Sequence, residues 1–356
     1  MLEPQTHASH ALGREEFDVP ENETAKSEPT TRGQNPAWIG FDLGGTKMLS
    51  VVYDDQFNEL GRKRSKTFGH AGADVGMEKI GDTIAKAIAK VQEDDLTIAG
   101  IGVGCPGPLD LDRGVILHAP NLGWENVALK DALTERFECP VYVLNDVDAG
   151  VYGEYRFGAG KDARCLVGVF PGTGIGGGCV YQGEIIRGKS GSCFEIGHIR
   201  VAPDGPLCGC GRRGCLEAVA SRLAIAASAA QAAYRGQAPY LLKTAGVDLA
   251  EIRSSVLAEA AAHGDAVVEQ IIRQAAQHIG AALGSVVSLL APDRVVLGGG
   301  LVEAMPELFV AEVEKSANKN TMDAFAGSFK VFAARLADDA GVMGAAAWAR
   351  RRVQED

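Results

Sequence analysis

Two spacings dominate the hydrophobic pattern of the chain: short apolar runs that end in glycines, and longer stretches in which apolar residues recur every third or fourth position. Regular patterning begins near Ala37. In WIGFDLGGTKMLSVVYDDQFNEL, two apolar, β-prone runs flank a Gly-Gly turn, which predicts a hairpin. Met77, Ile80, Ile84, Ile88 and Val91 fall on one face at helical spacing and predict an amphipathic helix. LTIAGIGVGCPGPLD predicts a strand entering a Gly/Pro loop, VYVLND a buried strand stopping at two polar residues, and AGVYGEYRFGAG a helix closed by glycines. The second half repeats the order: RCLVGVFPGTGIGGGCVYQGEIIRG is again strand, Gly-rich turn, strand, with Ala-rich helices further on. A long helix over roughly 266–290, a strand ending in three glycines in PDRVVLGGGL, and a small-residue helix in DDAGVMGAAAWARRR follow. The repeat predicts two related α/β halves that each present a Gly/Thr hairpin tip to one shared ligand.

Composition changes this picture at the edges. At 356 residues the chain is long enough for two ordinary α/β domains. Residues 1–36 are polar, rich in Glu, Thr and Pro, and without apolar period, so they read as a disordered tail. No basic-then-apolar leader stands there, and charged or amide residues interrupt the longest apolar stretch. A cytoplasmic protein with no membrane partner is expected. The net charge of -11 argues against nucleic acid as a partner, because duplex phosphates would be repelled. The 45 glycines are clumped, which suggests backbone that approaches a ligand closely.

The Gly-rich turns do not fit the common nucleotide motifs. FDLGGTK has Thr46 before Lys47, the reverse of the P-loop order. Gly102 to Gly107 and Gly172 to Gly177 satisfy GxGxxG, yet neither opens a helix, so a dinucleotide fold is excluded by context. Each tip alone reads as an ordinary hairpin; several with an Asp between them read as phosphate-binding turns. Asn145 and Asp146 close a buried strand, where α/β sheets place their chemistry. A carboxylate there can take the proton of a hydroxyl attacking a γ-phosphoryl group, or it can cap the following helix. Asp148 is the better candidate for that cap.

Three of the eight cysteines, Cys208, Cys210 and Cys215, cluster in EIGHIRVAPDGPLCGCGRRGCLE, with His198 ten positions upstream. Three thiolates and an imidazole suit a closed tetrahedral zinc site, and the intervening glycines let a short loop wrap the ion. Reduced free thiols are the alternative. Zinc here would fix Glu195, His198 and Glu217 around one point, a set of acceptors for a polyhydroxy ligand.

FDLGGTK, GVGCPGPLD, APNLGW, LNDVDAGVYGEYRFGAGK, GTGIGGG, EIGH and CGCGRRGCLE together resemble the ROK family of sugar kinases and repressors, closest in pattern to its bacterial zinc-containing glucokinases, from about Ile39 to Ala349. The resemblance implies an α/β, actin-like/RNase H-like ATPase fold: two α/β domains around a cleft, behind the tail. Residues 37–145 plus a C-terminal helix of about 338–356 would form the small domain, and 146–337 the large one with the zinc loop. It implies ATP-dependent phosphorylation of a hexose, glucose first, usually by a homodimer. Asp42, Gly44, Gly45, Thr46 and Lys47 would form the first phosphate loop and Thr173 and Gly174 the second, with Gly298, Gly299 and Gly300 near the adenosine. Asn121, Asn145, Asp146, Glu195, His198 and Glu217 would hold the sugar, with Asp146 as catalytic base. His198, Cys208, Cys210 and Cys215 would bind Zn2+, and Mg2+ would accompany ATP near Asp42.

Two positions depart from the family's pattern: Cys105 follows GVG, and Asn-Asp-x-Asn has become Asn145-Asp146-Val147-Asp148. The second adds a carboxylate that would raise the Asp146 pKa if the two side chains approach. N-acetylmannosamine, fructose and allose kinases share most of these residues, polyphosphate is an alternative donor, and a repressor is the reading from another class. Such a repressor carries a helix-turn-helix ahead of the sugar domain, for which residues 1–36 are too few and too poorly patterned.

Overall fold

The computed structural model describes residues 35–67, 72–92, 96–119, 121–189 and 191–355. The tail reading therefore lies outside the described residues over 1–34. Its last two residues belong to the fold, because the first strand starts at Asn35 and pairs with Leu96.

The elements in chain order are β1 (Asn35–Leu43), β2 (Lys47–Tyr53), β3 (Glu59–Lys66), α1 (Ala73–Ile88), β4 (Leu96–Cys105), the short β5 (Leu109–Asp110), β6 (Val115–Ala119) and β7 (Trp124–Ala128), then α2 (Leu129–Phe137), β8 (Val141–Asn145) and α3 (Asp146–Phe157). The second half has β9 (Cys165–Pro171), β10 (Ile175–Tyr181), β11 (Glu184–Ile185), the small hairpin β12 (Arg187–Gly188) and β13 (Gly191–Ser192), and a 3-10 turn at Ile196–His198. It continues with α4 (Leu216–Ala220), α5 (Arg222–Tyr234), α6 (Pro239–Thr244), α7 (Ser254–Ala262), α8 (Ala266–Leu290), β14 (Arg294–Leu297), α9 (Gly300–Ala304), α10 (Pro306–Asn320), β15 (Lys330–Ala333) and α11 (Ala340–Glu355).

Two five-stranded sheets form, in the orders β3-β2-β1-β4-β8 and β11-β10-β9-β14-β15. Each has three antiparallel strands followed by two parallel ones, so the halves share one topology. This is the duplicated actin-like ATPase arrangement expected from the sequence. The near-continuous apolar character of β1 follows from its place at the sheet centre, where both faces are covered. Ile39 and Phe41 are fully buried, each stabilising the fold by about 1.5–3 kcal/mol.

Helices α3 and α11 pack between the sheets, α11 on β1 and β4 and α3 on β9 and β10. Glycine makes that packing possible. A β-carbon at Gly102 would overlap the Ala345 carbonyl oxygen, and one at Gly344 would overlap the Ala149 carbonyl oxygen. Sheet and helices therefore meet backbone to backbone. The parallel strands of both sheets then point their carboxyl ends into one cleft.

Candidate functional site

The cleft has a volume of about 460 Å³ and is lined by Asp42 and Asp146 from the first sheet and by Gly299, Gly300 and Glu303 from the second. Asp42 sits near the carboxyl end of β1 and Asp146 follows β8, one strand removed across β4. Phe170 forms an apolar wall, and the segment leading into α11, with the first turn of that helix, contributes Ala334, Ala337, Asp338, Ala340 and Gly341.

Asn145, not Asp148, caps α3. Its Oδ1 accepts from the N–H groups of Val147 at 2.9 Å and Asp148 at 3.3 Å. The reason is backbone conformation: Asn145 is extended and stands just before the first turn, whereas Asp148 is already inside the helix and buried. Asp146 Oδ1 accepts from Val147 N–H at 2.9 Å, which holds the carboxylate at the helix N-terminus.

The carboxyl of Asp146 is raised above the usual range, first by burial and further by the charge of Glu195; hydrogen bonds from backbone N–H groups and the Asn145 side chain pull the other way. Burial and Glu195, rather than Asp148, lead the causes that raise Asp146. Asp148 lies against Gly178, and its charge acts on Arg187, Cys179 and Cys193. Burial also pushes Asp42 up to about 6, helped by Asp146 and Asp338 and opposed by Arg64. Such a crowd of carboxylates favours added positive charge.

The first hairpin tip is closed by Gly44 N–H donating to Lys47 O at 2.9 Å, and Thr67 Oγ1 donates to Gly44 O at 2.8 Å. Asp42, Gly44, Thr46 and Lys47 share a second pocket of about 170 Å³ with Arg64 and Asp338. Gly45 and Asn121 are neighbours: a β-carbon on the glycine would lie 3.8 Å from that of Asn121. The second tip is braced by Gly172 N–H to Gly174 O at 2.8 Å. Thr173 accepts from Arg222 at 3.2 Å, and Glu217 accepts from Ile175 N–H at 3.1 Å. Gly298 differs from its two successors: it is buried under Phe170 and does not line the cleft.

His198, Cys208, Cys210 and Cys215 converge, with one donor atom from each within 4.8 Å of the others. Cys208 Sγ is 3.6 Å from His198 Nδ1, and Cys210 Sγ is 3.6 Å from Cys215 Sγ. Tetrahedral zinc with sulfur ligands at about 2.3 Å needs donor separations of roughly 3.8 Å, so the set fits that ion. Glu217 Oε1 lies 3.8 Å from Cys208 Sγ, and its other oxygen reaches β10, so this carboxylate ties the cysteine loop to the second hairpin tip.

Several residues of the cleft and of the second hairpin tip are not singled out by the sequence pattern. Asp338 and Glu303 sit in helix-start segments that read as solvated. Arg222 reads as an ordinary helix residue. The one signal for Asp338 was its place in DDAG, where Gly341 leaves room beside the Asp42 carboxylate.

The sequence profile of the ROK family matches residues 38–352. The chain belongs to the ROK family. A glucokinase from Thermotoga maritima is 34% identical over 317 residues, covering 88% of this chain and 98% of that one. A ROK-family glucokinase from Streptomyces griseus, solved with glucose and AMPPNP, matches with a TM-score of 0.76 at 35% identity, over 88% of this chain and 99% of that one. A xylose repressor from Caldicellulosiruptor bescii is 31% identical, covering 86% of this chain but 76% of the repressor. Among the described residues no helix is long and apolar enough to cross a membrane.

Proposed function

We propose that the protein is an ATP-dependent hexokinase that phosphorylates glucose to glucose 6-phosphate. The observation that carries this reading is the convergence of Asp42 and Asp146 on one cleft opposite Gly299 and Gly300. The two glucokinase relatives support it, each matched over nearly its whole length.

Asp146 accepts the proton of the attacking hydroxyl. Its raised proton affinity makes it a stronger base than an exposed carboxylate, and its hydrogen bond to Val147 keeps it aimed. Asn121, Asn145, Glu195, His198 and Glu217 orient the remaining hydroxyls. The tips at Gly44, Gly45, Thr46 and Lys47 and at Thr173 and Gly174 receive phosphate oxygens through N–H groups, hydroxyls and the lysine amine. Gly299 and Gly300, without side chains, let the adenosine approach the backbone. Magnesium fits at Asp42, where neighbouring carboxylates already disfavour the bare negative charge, and it would neutralise the phosphate chain. His198, Cys208, Cys210 and Cys215 would hold zinc, which would supply structure by fixing the loop between Glu195 and Glu217.

The lobes, 37–145 with 338–356 and 146–337, would close on the sugar and exclude water, in a cytoplasmic homodimer. Scattering with and without glucose reads the closure, and sedimentation reads the dimer.

The test is ADP release with magnesium-ATP across glucose, mannose, fructose, N-acetylmannosamine, N-acetylglucosamine and allose. Selective turnover of glucose is expected. Turnover of another sugar alone reassigns the substrate, and silence on every sugar from folded, zinc-loaded protein overturns the kinase reading.

A further inference from the structure

Glu154 is fully buried on α3, eight residues beyond Asp146 and thus about two turns along the same helix. The groups that bind its carboxylate are backbone N–H groups. Ala159 donates to Oε2 at 2.8 Å, and Arg335 and Leu336 both donate to Oε1 at 2.8 Å. The first closes the end of the helix. The other two cross a sequence separation of 181 and 182 residues to hold the segment that enters α11.

That segment is a wall of the cleft, through Ala334, Ala337, Asp338, Ala340 and Gly341. Within it Ala337 has φ +47°, a left-handed conformation that a residue with a β-carbon seldom adopts. Such backbone persists where its surroundings over-determine it. Towards the first sheet the segment is tied by two ion pairs, Arg62 with Asp339 at 2.8 Å and, beside the first hairpin tip, Arg64 with Asp338 at 2.9 Å. The second is exposed and both are accessible enough to exchange with water. On the inner side it is tied by Ala334 N–H to Leu297 O at 2.7 Å and by the buried Glu154.

We propose that Glu154 is a positioning residue for the nucleotide. It fastens the Ala334–Gly341 wall to the helix that carries Asp146, so base and nucleotide wall move as one piece while the solvent-accessible ion pairs break and re-form. The inference rests on the reading that ATP occupies this cleft. Glu154 touches neither substrate nor nucleotide; it acts through the backbone of Arg335 and Leu336.

The test is steady-state kinetics of three variants, with a melting curve for each. Glu154→Gln keeps the size of the side chain but removes its charge and exchanges one carboxylate oxygen for an NH2 group that donates, so a single neutral oxygen is left to accept from the three N–H groups. The KM for magnesium-ATP should rise about tenfold, as expected for a lost hydrogen bond to a charged group, with the KM for glucose within about twofold of the parent. Leu336→Pro removes one of the two N–H donors from the far side without touching α3, and should raise the same KM by a smaller factor. Ala334→Phe fills the cleft and reports on the reading beneath the proposal. If Ala334→Phe raises the KM for magnesium-ATP while folded Glu154→Gln leaves it unchanged, or lowers kcat alone, the positioning role is overturned and the cleft assignment stands. An unchanged KM in Ala334→Phe removes both. Should Glu154→Gln fail to fold, Leu336→Pro decides, and a parental KM for magnesium-ATP in that variant refutes the role.

Discussion

Replacing Asp42 with Asn should stabilise the ligand-free protein while weakening its grip on magnesium-ATP. The carboxyl of Asp42 is pushed up to about 6 from an ordinary value of 3.8, first by burial and then by Asp146 and Asp338. Because the folded state holds this proton more tightly than the unfolded chain, the unfolded chain binds fewer protons between these two values. Stability from this group therefore falls as pH rises from about 4 to about 6 and stays lowered above. The difference between 3.8 and about 6, at about 1.4 kcal/mol per pH unit, sets a ceiling of about 3 kcal/mol at neutral pH. Partial access to solvent reduces this to about 1–2 kcal/mol. Asn keeps the shape and carries no charge, so Asp42→Asn should recover that amount at pH 7.5 and nothing below about pH 4. Urea unfolding followed by the fluorescence of the buried Trp38, Trp124 and Trp348 measures it across this range. A variant no more stable than the parent at pH 7.5, or stabilised equally at every pH, would refute the argument that charge crowding costs stability at this position.

Asp146→Asn should lower kcat by about 10²–10⁴ while glucose still binds, measured by coupled ADP release and by calorimetry. Because burial and then Glu195 raise the Asp146 carboxyl, Asp148→Asn should leave the acidic limb of the pH-rate profile in place. That limb should lie above the ordinary carboxylate range, since base activity is lost as pH falls through the raised pKa of Asp146. Metal analysis should find one zinc per chain, and Cys208→Ser should lose it together with glucose affinity; an apo variant with parental affinity would separate the loop from the sugar site. Gly344→Ala should destabilise by about 2–3 kcal/mol in urea, because its new methyl group meets the Ala149 carbonyl.

What the residue pattern revealed depended on how local the cause was. The paired hairpins, α1 and α8 were legible because burial imposes a simple period on each. The cysteine cluster was legible because its ligands lie within a few residues of one another. The helix cap at Asn145 was not, since Asn145 and Asp148 are both competent caps and the last residue of β8 decides between them. Nor was Glu154, which reads as one more polar helix residue until β15 brings Arg335 and Leu336 against it. The small sheet of β5, β6 and β7 was also missed, its strands being too short to carry a period. CGCGRRGCLE by itself presents Glu217 only as a sugar ligand, and the folded chain reveals its bond to Ile175.

The backbone contact between α11 and the first sheet has a consequence for biosynthesis. Gly40 and Gly102 face Val342 and Ala345, so the inner side of β1 and β4 is covered by a helix made roughly 240 to 300 residues later. At about 5–20 residues per second, a ribosome needs roughly 15 to 60 s to add the intervening 300 or so positions. Through that interval the nascent sheet presents a bare, glycine-lined apolar face, a surface that invites a chaperone and makes the N-terminal half a poor candidate for expression by itself.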